Sequence, residues 1–284
     1  MRLLIFGQTG QVAQELARIA PEALFLSRSD ADLTDPTACA RVIRQSDAEA
    51  VINAAAFTAV DQAENDAQTA FLVNGKAPSA MADASAAKNI PFVHISTDYV
   101  FNGQGMRPWV PGDPLAPLGI YGQSKLEGEN GVRAARGAYA ILRTSWVFSA
   151  HGSNFVKTML RLSENHDSLR VVADQFGGPT PAAAIAQAVL EIAGQLVARS
   201  APSGTFHFSG TPDVNWADFA RAIFSEAQLN VSVEDITTDE YPTPAERPLN
   251  SRLDCRSLEQ VFGIKRPDWR EALCHVVTEI KEQA

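Results

Sequence analysis

Short apolar runs alternate along this chain with longer segments whose apolar residues recur every three or four positions. Leu3-Leu4-Ile5-Phe6 is the first run, and a helical spacing at Val12, Leu16 and Ile19 follows it. Further runs are Leu24-Phe25-Leu26, Val51 to Ala56, Phe92 to Ser96 and Ala140 to Thr144. Their length and near-continuous hydrophobicity predict strands buried on both faces. Val51-Ile52-Asn53-Ala54-Ala55-Ala56 reads as the fourth of them. Helical spacing predicts helices over Thr69 to Lys88, Gly119 to Arg136, Ala182 to Val197 and Trp216 to Ala227. Strand and helix alternate through about residue 150, which predicts a doubly wound parallel sheet with helices on both faces. After Trp146 the regularity gives way to segments carrying Pro179-Thr180-Pro181 and Tyr241-Pro242-Thr243-Pro244. The expected α/β organisation is a sheet domain over residues 1–150 and a smaller α/β lobe over most of 151–284. Part of 160–200 is expected to return to the first domain, so that the two interleave.

The first strand runs into Gly7-Gln8-Thr9-Gly10-Gln11-Val12-Ala13, and a helix begins at once. Strand, glycine turn and helix are the context in which such a motif binds a dinucleotide, so the sheet domain is expected to be of Rossmann type. Gly7 permits the tight turn, and Gly10 lets backbone approach a pyrophosphate resting on the helix N-terminus. Ala13 stands at the third small position and still allows close packing. Gly7, Thr9, Gly10, Gln11 and Val12 are the expected contacts of this turn. After the second strand comes Ser27-Arg28-Ser29, where an NAD site usually has an acidic residue. A guanidinium suits a 2′-phosphate, so NADPH is expected in preference to NADH. Asp32 and Leu33 follow at the adenine. The small side chains of Ala55 and Ala56 leave room for a cofactor across the strand ends. Phe57, Thr58 and Val60 then border its nicotinamide ribose and the substrate.

Candidate chemistry lies at Tyr121 and Lys125, four apart and on one helix face. A phenol has an ordinary pKa of about 10, and a neighbouring ammonium lowers it. The pair reads as an acid/base that protonates a carbonyl oxygen while hydride reaches its carbon. Thr97, at the carboxyl end of its strand, can hydrogen-bond the same oxygen, although threonine there also follows from strand propensity.

At 284 residues the chain is long enough for a sizeable core, and its net charge of −9 argues against nucleic acid as a partner. No segment approaches the roughly 20 apolar residues that span a bilayer. The start is too short for a signal-peptide core. Cys39, Cys255 and Cys274 are scattered without paired spacing, which suits the cytoplasm. Five histidines show no ligand spacing, so no catalytic metal is expected.

Thr97, Tyr121, Lys125 and the glycine turn together resemble the catalytic set of the extended short-chain dehydrogenase/reductases. Six further blocks sharpen the likeness: Asn53 to Asp61, Ser96 to Phe101, Arg143 to Val147, Asn154 to Leu160, Asp174 to Thr180 and Arg247 to Ser251. In that order, over essentially the full length, they resemble the dTDP-4-dehydrorhamnose reductases. The resemblance implies NADPH-dependent reduction of the C4 keto group of a dTDP-linked 4-keto-6-deoxyhexose. It makes Tyr121 the general acid, gives Lys125 the nicotinamide ribose, and sets Thr97 on the keto oxygen. Val60, Asp98, Tyr99 and Trp146 would line the sugar. Related dehydratases carry Asp-Glu after the threonine, whereas Asp98 here precedes Tyr99, so plain reduction is the economical reading. For the substrate's pyrophosphate, Arg247 is favoured over Lys157, Arg161 and Arg252. Glu15 sits where some relatives use acidic residues in a magnesium-linked dimer, which leaves the metal, and the choice of monomer or homodimer, open. The competing readings are an epimerase or reductase of another nucleotide sugar, and a non-catalytic regulatory subunit of the same fold.

Overall fold

A computed structural model describes residues 1–283; Ala284, the end of the expected second lobe, lies outside them. Six parallel strands form the central sheet, in the order Gly204–His207, Tyr139–Thr144, Phe92–Thr97, Ala50–Asn53, Leu3–Phe6, Leu24–Leu26. Helices Gln11–Ile19, Ala182–Val197 and Arg256–Phe262 cover one face, around Ile5, Leu16, Ile52, Val189 and Phe206. Helices Pro36–Gln45, Ala77–Ala87 and Ile120–Ala134 cover the other, around Phe6, Ile43, Met81, Phe92 and Val132. Burial on both sides is why these strands read as unbroken apolar runs. The chain leaves Leu3–Phe6 on one side and then crosses to Ala50–Asn53 on the other. That reversal opens a crevice at the strands' carboxyl ends, where sheets of this kind bind ligands.

Two expectations about these elements need correction. The strand expected as fourth is third along the chain and ends at Asn53, so Ala54 to Ala56 belong to the following loop. No strand precedes it after Leu26 because Asp35 accepts from Ala38 N at 2.9 Å and starts helix Pro36–Gln45, with Pro36 suited to the first turn. The helix expected over Thr69 to Lys88 is broken into Ala67–Phe71, a π-type turn at Leu72–Lys76 and Ala77–Ala87. Pro78 has no N–H and its ring crowds the carbonyl of Asn74 four residues back, so the turn between them widens.

Beyond Trp146 a smaller α/β lobe has its own core of Phe148, Val156, Phe219, Phe224 and Trp269. It is built on helices Phe155–Ser163, Trp216–Ala227 and Trp269–Glu282 and on short sheets. In one of these, Phe176–Gly177 lies between Val214–Asn215 and Asn250–Ser251. Helix Ala182–Val197 and strand Gly204–His207 pack with the central sheet instead. Among the described residues no helix is long and apolar enough to cross a membrane.

Candidate active site

Strand Phe92–Thr97 turns directly into a 3-10 turn at Asp98–Val100, and Thr97 caps it. Thr97 Oγ1 accepts from Tyr99 N at 3.2 Å and donates to Asp98 Oδ1 at 3.1 Å. Helix Ile120–Ala134 presses onto this turn. A Cβ at Gly122 would run into the Tyr99 carbonyl oxygen, so only glycine permits the approach. Gly119 brings no side chain to cap that helix, and Glu64 Oε1 accepts from Ile120 N at 2.8 Å in its place. The Tyr121 ring meets Tyr99 edge-on at 5.5 Å, and the Thr97 hydroxyl lies near its phenol. One turn on, the buried Lys125 donates from Nζ to the Ile95 carbonyl at 2.7 Å. Thr97, Asp98, Tyr99, Tyr121 and Lys125 are thus brought together. Behind them, buried Glu129 binds Arg143 through two contacts of 2.8 and 2.6 Å and accepts from Ser96 Oγ at 2.7 Å. That pair fixes the helix against two strands at once.

Burial pushes the Tyr121 phenol up to about 12, and the nearby Thr97 hydroxyl offsets only part of this. The lowering expected from Lys125 is not what the geometry gives, because its amine is turned to the Ile95 carbonyl and to His94. Burial also lowers Lys125 itself to about 8, opposed by Glu129. Asp98 is wholly buried with no partner on Oδ2, and burial raises it to about 7 against the nearby hydroxyls of Ser251 and Thr97.

The glycine turn opens onto the crevice and fits a dinucleotide. Gly7 has φ +110, and a Cβ there would press within 3.3 Å of Ala54 backbone. Gly10 precedes helix Gln11–Ile19 without a side-chain cap or an acidic residue in the first turn, so its amides stay available to an anion. Thr9 is exposed, with its carbonyl accepting from Gln14 Nε2. Gln11 spends its side chain accepting from Ser149 and Asn154, both at 2.9 Å. Val12 packs into the core and leaves only its amide for a ligand. Ala55, Ala56 and Phe57 line the loop half-buried and Thr58 is exposed. Arg28 projects with 81% of its side chain exposed and pairs with Asp32 at 3.1 Å. Asp32 also accepts from Thr34 N, so its carboxylate is engaged where an adenine contact was expected. Leu33 is half-buried beside it.

Val60 opens helix Val60–Asn65, whose Asp61 pairs with Arg247 at 2.7 Å. Arg247 also acts on Tyr99 as a nearby positive charge, which sets it beside the site. Lys157 donates to the Ala150 carbonyl and Arg252 lies over Phe176, so neither joins Arg247 there. Trp146 has φ +51, a costly conformation for a bulky residue, and such strain clusters at functional positions. Its ring stacks on Trp216 at 3.5 Å, so one face is already taken. Glu15 faces Arg18 and His151, each at 3.5 Å.

Sequence reasoning missed several members of this arrangement. Asn74 in the π-type turn clamps the Phe57 backbone with bonds of 2.8 and 3.0 Å and reaches Ser124 Oγ at 3.1 Å, tying the cofactor loop to the catalytic helix. His94, Trp216 and Ser251 were also passed over. Only Ser251 carried a signal, as the last residue of a matched block.

A glycine turn at the switch point, with a strand-end threonine and a Tyr-x-x-x-Lys helix over it, defines an extended short-chain dehydrogenase/reductase. Finer likeness follows from whole-chain comparison. The model of a family described as the RmlD substrate binding domain matches residues 1–282. The dTDP-4-dehydrorhamnose reductase of Sinorhizobium fredii is 44% identical over 98% of this chain and 97% of its own. A solved structure of the Clostridium acetobutylicum reductase has a TM-score of 0.93 and 36% identity, over 99% of this chain and 100% of that one. The Bacillus anthracis reductase, solved in complex with NADP, has a TM-score of 0.91 and 34% identity, over 98% of this chain and 99% of that one. The chain belongs to the dTDP-4-dehydrorhamnose reductase family.

Proposed function

We propose that this protein reduces the C4 keto group of dTDP-4-dehydro-L-rhamnose with NADPH to give dTDP-L-rhamnose. The carrying observation is that Thr97, Tyr121 and Lys125 meet at the same strand ends onto which the glycine turn opens. When bound, the reduced nicotinamide supplies the hydride for C4. Thr97 and Tyr121 hold the keto oxygen, and Tyr121 gives it a proton as charge develops. A phenol held near 12 keeps its proton until that oxygen gains alkoxide character, a much stronger base than phenolate. Lys125, charged below about 8, would hold the ribose hydroxyls. Gly7, Gly10 and the amides after them would hold the pyrophosphate, Ala55 to Thr58 the nicotinamide side, and Arg28 the 2′-phosphate, hence the choice of NADPH over NADH.

On the substrate side, Val60, Asp98, Tyr99 and Trp146 line the sugar, and Arg247 meets its pyrophosphate. The carboxylate that eliminates water in related dehydratases is replaced by Tyr99, which supports reduction alone. Residues 1–150 with helix Ala182–Val197 and strand Gly204–His207 serve the cofactor, and most of the remainder serves the substrate. Three cysteines without a disulfide support the cytoplasm as the working compartment. The relatives' shared name supports the substrate assigned. The test is NADPH oxidation by the purified protein against a panel of dTDP- and GDP-linked 4-keto sugars, with the product identified. Turnover only with the dTDP-4-dehydrorhamnose substrate is expected; NADPH binding without consumption of any sugar would refute the assignment.

A further inference from the structure

Behind the catalytic lysine lies a histidine that the reaction as described leaves unused. His94 is wholly buried on strand Phe92–Thr97 and stacks on Phe92 at 6.0 Å. The place of its ring proton follows from the hydrogen bonds around it. Ala55 N donates to Asn53 Oδ1 at 3.1 Å, so the amide oxygen of Asn53 faces the cofactor loop. Its Nδ2, which can only donate, therefore faces His94 Nδ1 at 3.2 Å. Nδ1 is then the acceptor, and a neutral ring carries its proton on Nε2. Burial and the neighbouring Lys125 charge hold the ring neutral. Nε2 lies 3.4 Å from Lys125 Nζ. When Lys125 is an ammonium, two donors face each other across that gap. When it is an amine, a donor meets a lone pair.

We propose that His94 is a positioning residue for the reduction, acting through Lys125. Its fixed Nε2–H turns the charged lysine's free donors away from the strand and into the cleft, and captures the lone pair once the lysine is neutral. Lys125 thereby has a working state that holds the cofactor and an idle state docked on His94. The proposal rests on reading Lys125 as the cation that holds the ribose, and adds the group that governs it. The ordinary alternative is a core histidine satisfied by Asn53 alone, but that leaves its second nitrogen aimed at the one buried amine of the site. Other charged or titratable groups around the pair are few. Tyr121 and Glu129 share the helix of Lys125, with Glu129 paired to Arg143 and Arg133. Asp98 and Tyr99 face them from the 3-10 turn, Glu64 sits at the helix start, and Lys76 and Glu127 pair on its outer side. None replaces the His94 contact.

Two measurements test it. The first is nitrogen-15 NMR of the full chain labelled at histidine, His94 being assigned by replacing His151, His166, His207 and His275 in turn. His94 is expected as a neutral Nε2–H tautomer through the neutral and alkaline range, its Nε2 signal moving as Lys125 titrates. An Nδ1–H tautomer, or a signal indifferent to that titration, overturns the proposal whether or not the protein reduces any sugar. The second is His94→Phe, which keeps the ring's bulk and its stack on Phe92 while removing the N–H. The alkaline limb of kcat/KM is expected to move up by roughly one pH unit, carried by KM for NADPH rather than by kcat. A limb that stays at its wild-type position overturns the proposal. If this variant does not fold, the NMR titration of the native sequence decides alone. Inactivity of the native protein toward every sugar counts against the function and leaves the NMR result standing.

Discussion

At the scale of the residue, the site gathers buried groups displaced from their ordinary ionisation. Asp98 is the clearest, with Oδ2 unpartnered and its acidity shifted to about 7 by burial. A carboxyl whose folded-state pKa lies above its unfolded value favours the fold at low pH, and that contribution is lost as pH rises through about 7. Asp98→Asn removes the burden, so it should stabilise the protein by up to roughly 4 kcal/mol at about pH 8 and by almost nothing near pH 3. Urea unfolding at the two pH values checks this; an equal effect at both would show that ionisation is not the cause. Thr97, Tyr121 and Lys125 could be found in the sequence because one sits at a strand end and the others lie one helical turn apart. His94 and Asn74 could not, since their importance comes from partners 31 and 17 residues away. Nor could the direction of the Tyr121 shift, which is set by enclosure rather than by the lysine beside it.

At the scale of the element, the catalytic helix is positioned by one buried ion pair and one glycine. Glu129 anchors it to Arg143 on strand Tyr139–Thr144 and to Ser96 on strand Phe92–Thr97. Glu129→Ala leaves the Arg143 guanidinium buried without its partner, which should cost about 3–5 kcal/mol. Chemical denaturation measures that loss, and a change within experimental error would mean that the pair contributes nothing net. Apolar runs located five of the six central strands, and helical spacing located Ile120–Ala134, Ala182–Val197 and Trp216–Ala227 to within two residues; strand Gly204–His207, with a single large apolar residue, and helices Pro36–Gln45, Arg256–Phe262 and Trp269–Glu282 were not read. Val51 to Ala56 was read too long because its alanines continue the apolar run past the last strand residue, Asn53. The break at Leu72–Lys76 hides inside a helical pattern, and only Pro78 hinted at it.

At the scale of the whole molecule, the later half of the chain closes over the sheet's carboxyl edge. Arg247 reaches Asp61, and Trp146 stacks on Trp216. The parallel sheet was readable from strand–helix alternation, though its strand order was not, and these closures join segments far apart in sequence, so only the matched blocks pointed to them. Arg247→Ala should raise KM for the sugar nucleotide roughly ten- to hundredfold and leave kcat nearly unchanged, as removal of a charged hydrogen bond to the ground state does. Steady-state kinetics decides it, and a fall confined to kcat would place Arg247 in the chemistry instead. The most direct test of the whole account is the kcat of Tyr121→Phe with NADPH and dTDP-4-dehydrorhamnose, alongside its affinity for NADPH. Loss of the proton donor should lower kcat by about 10²–10⁴-fold while the cofactor still binds. A kcat equal to that of the native protein would contradict it.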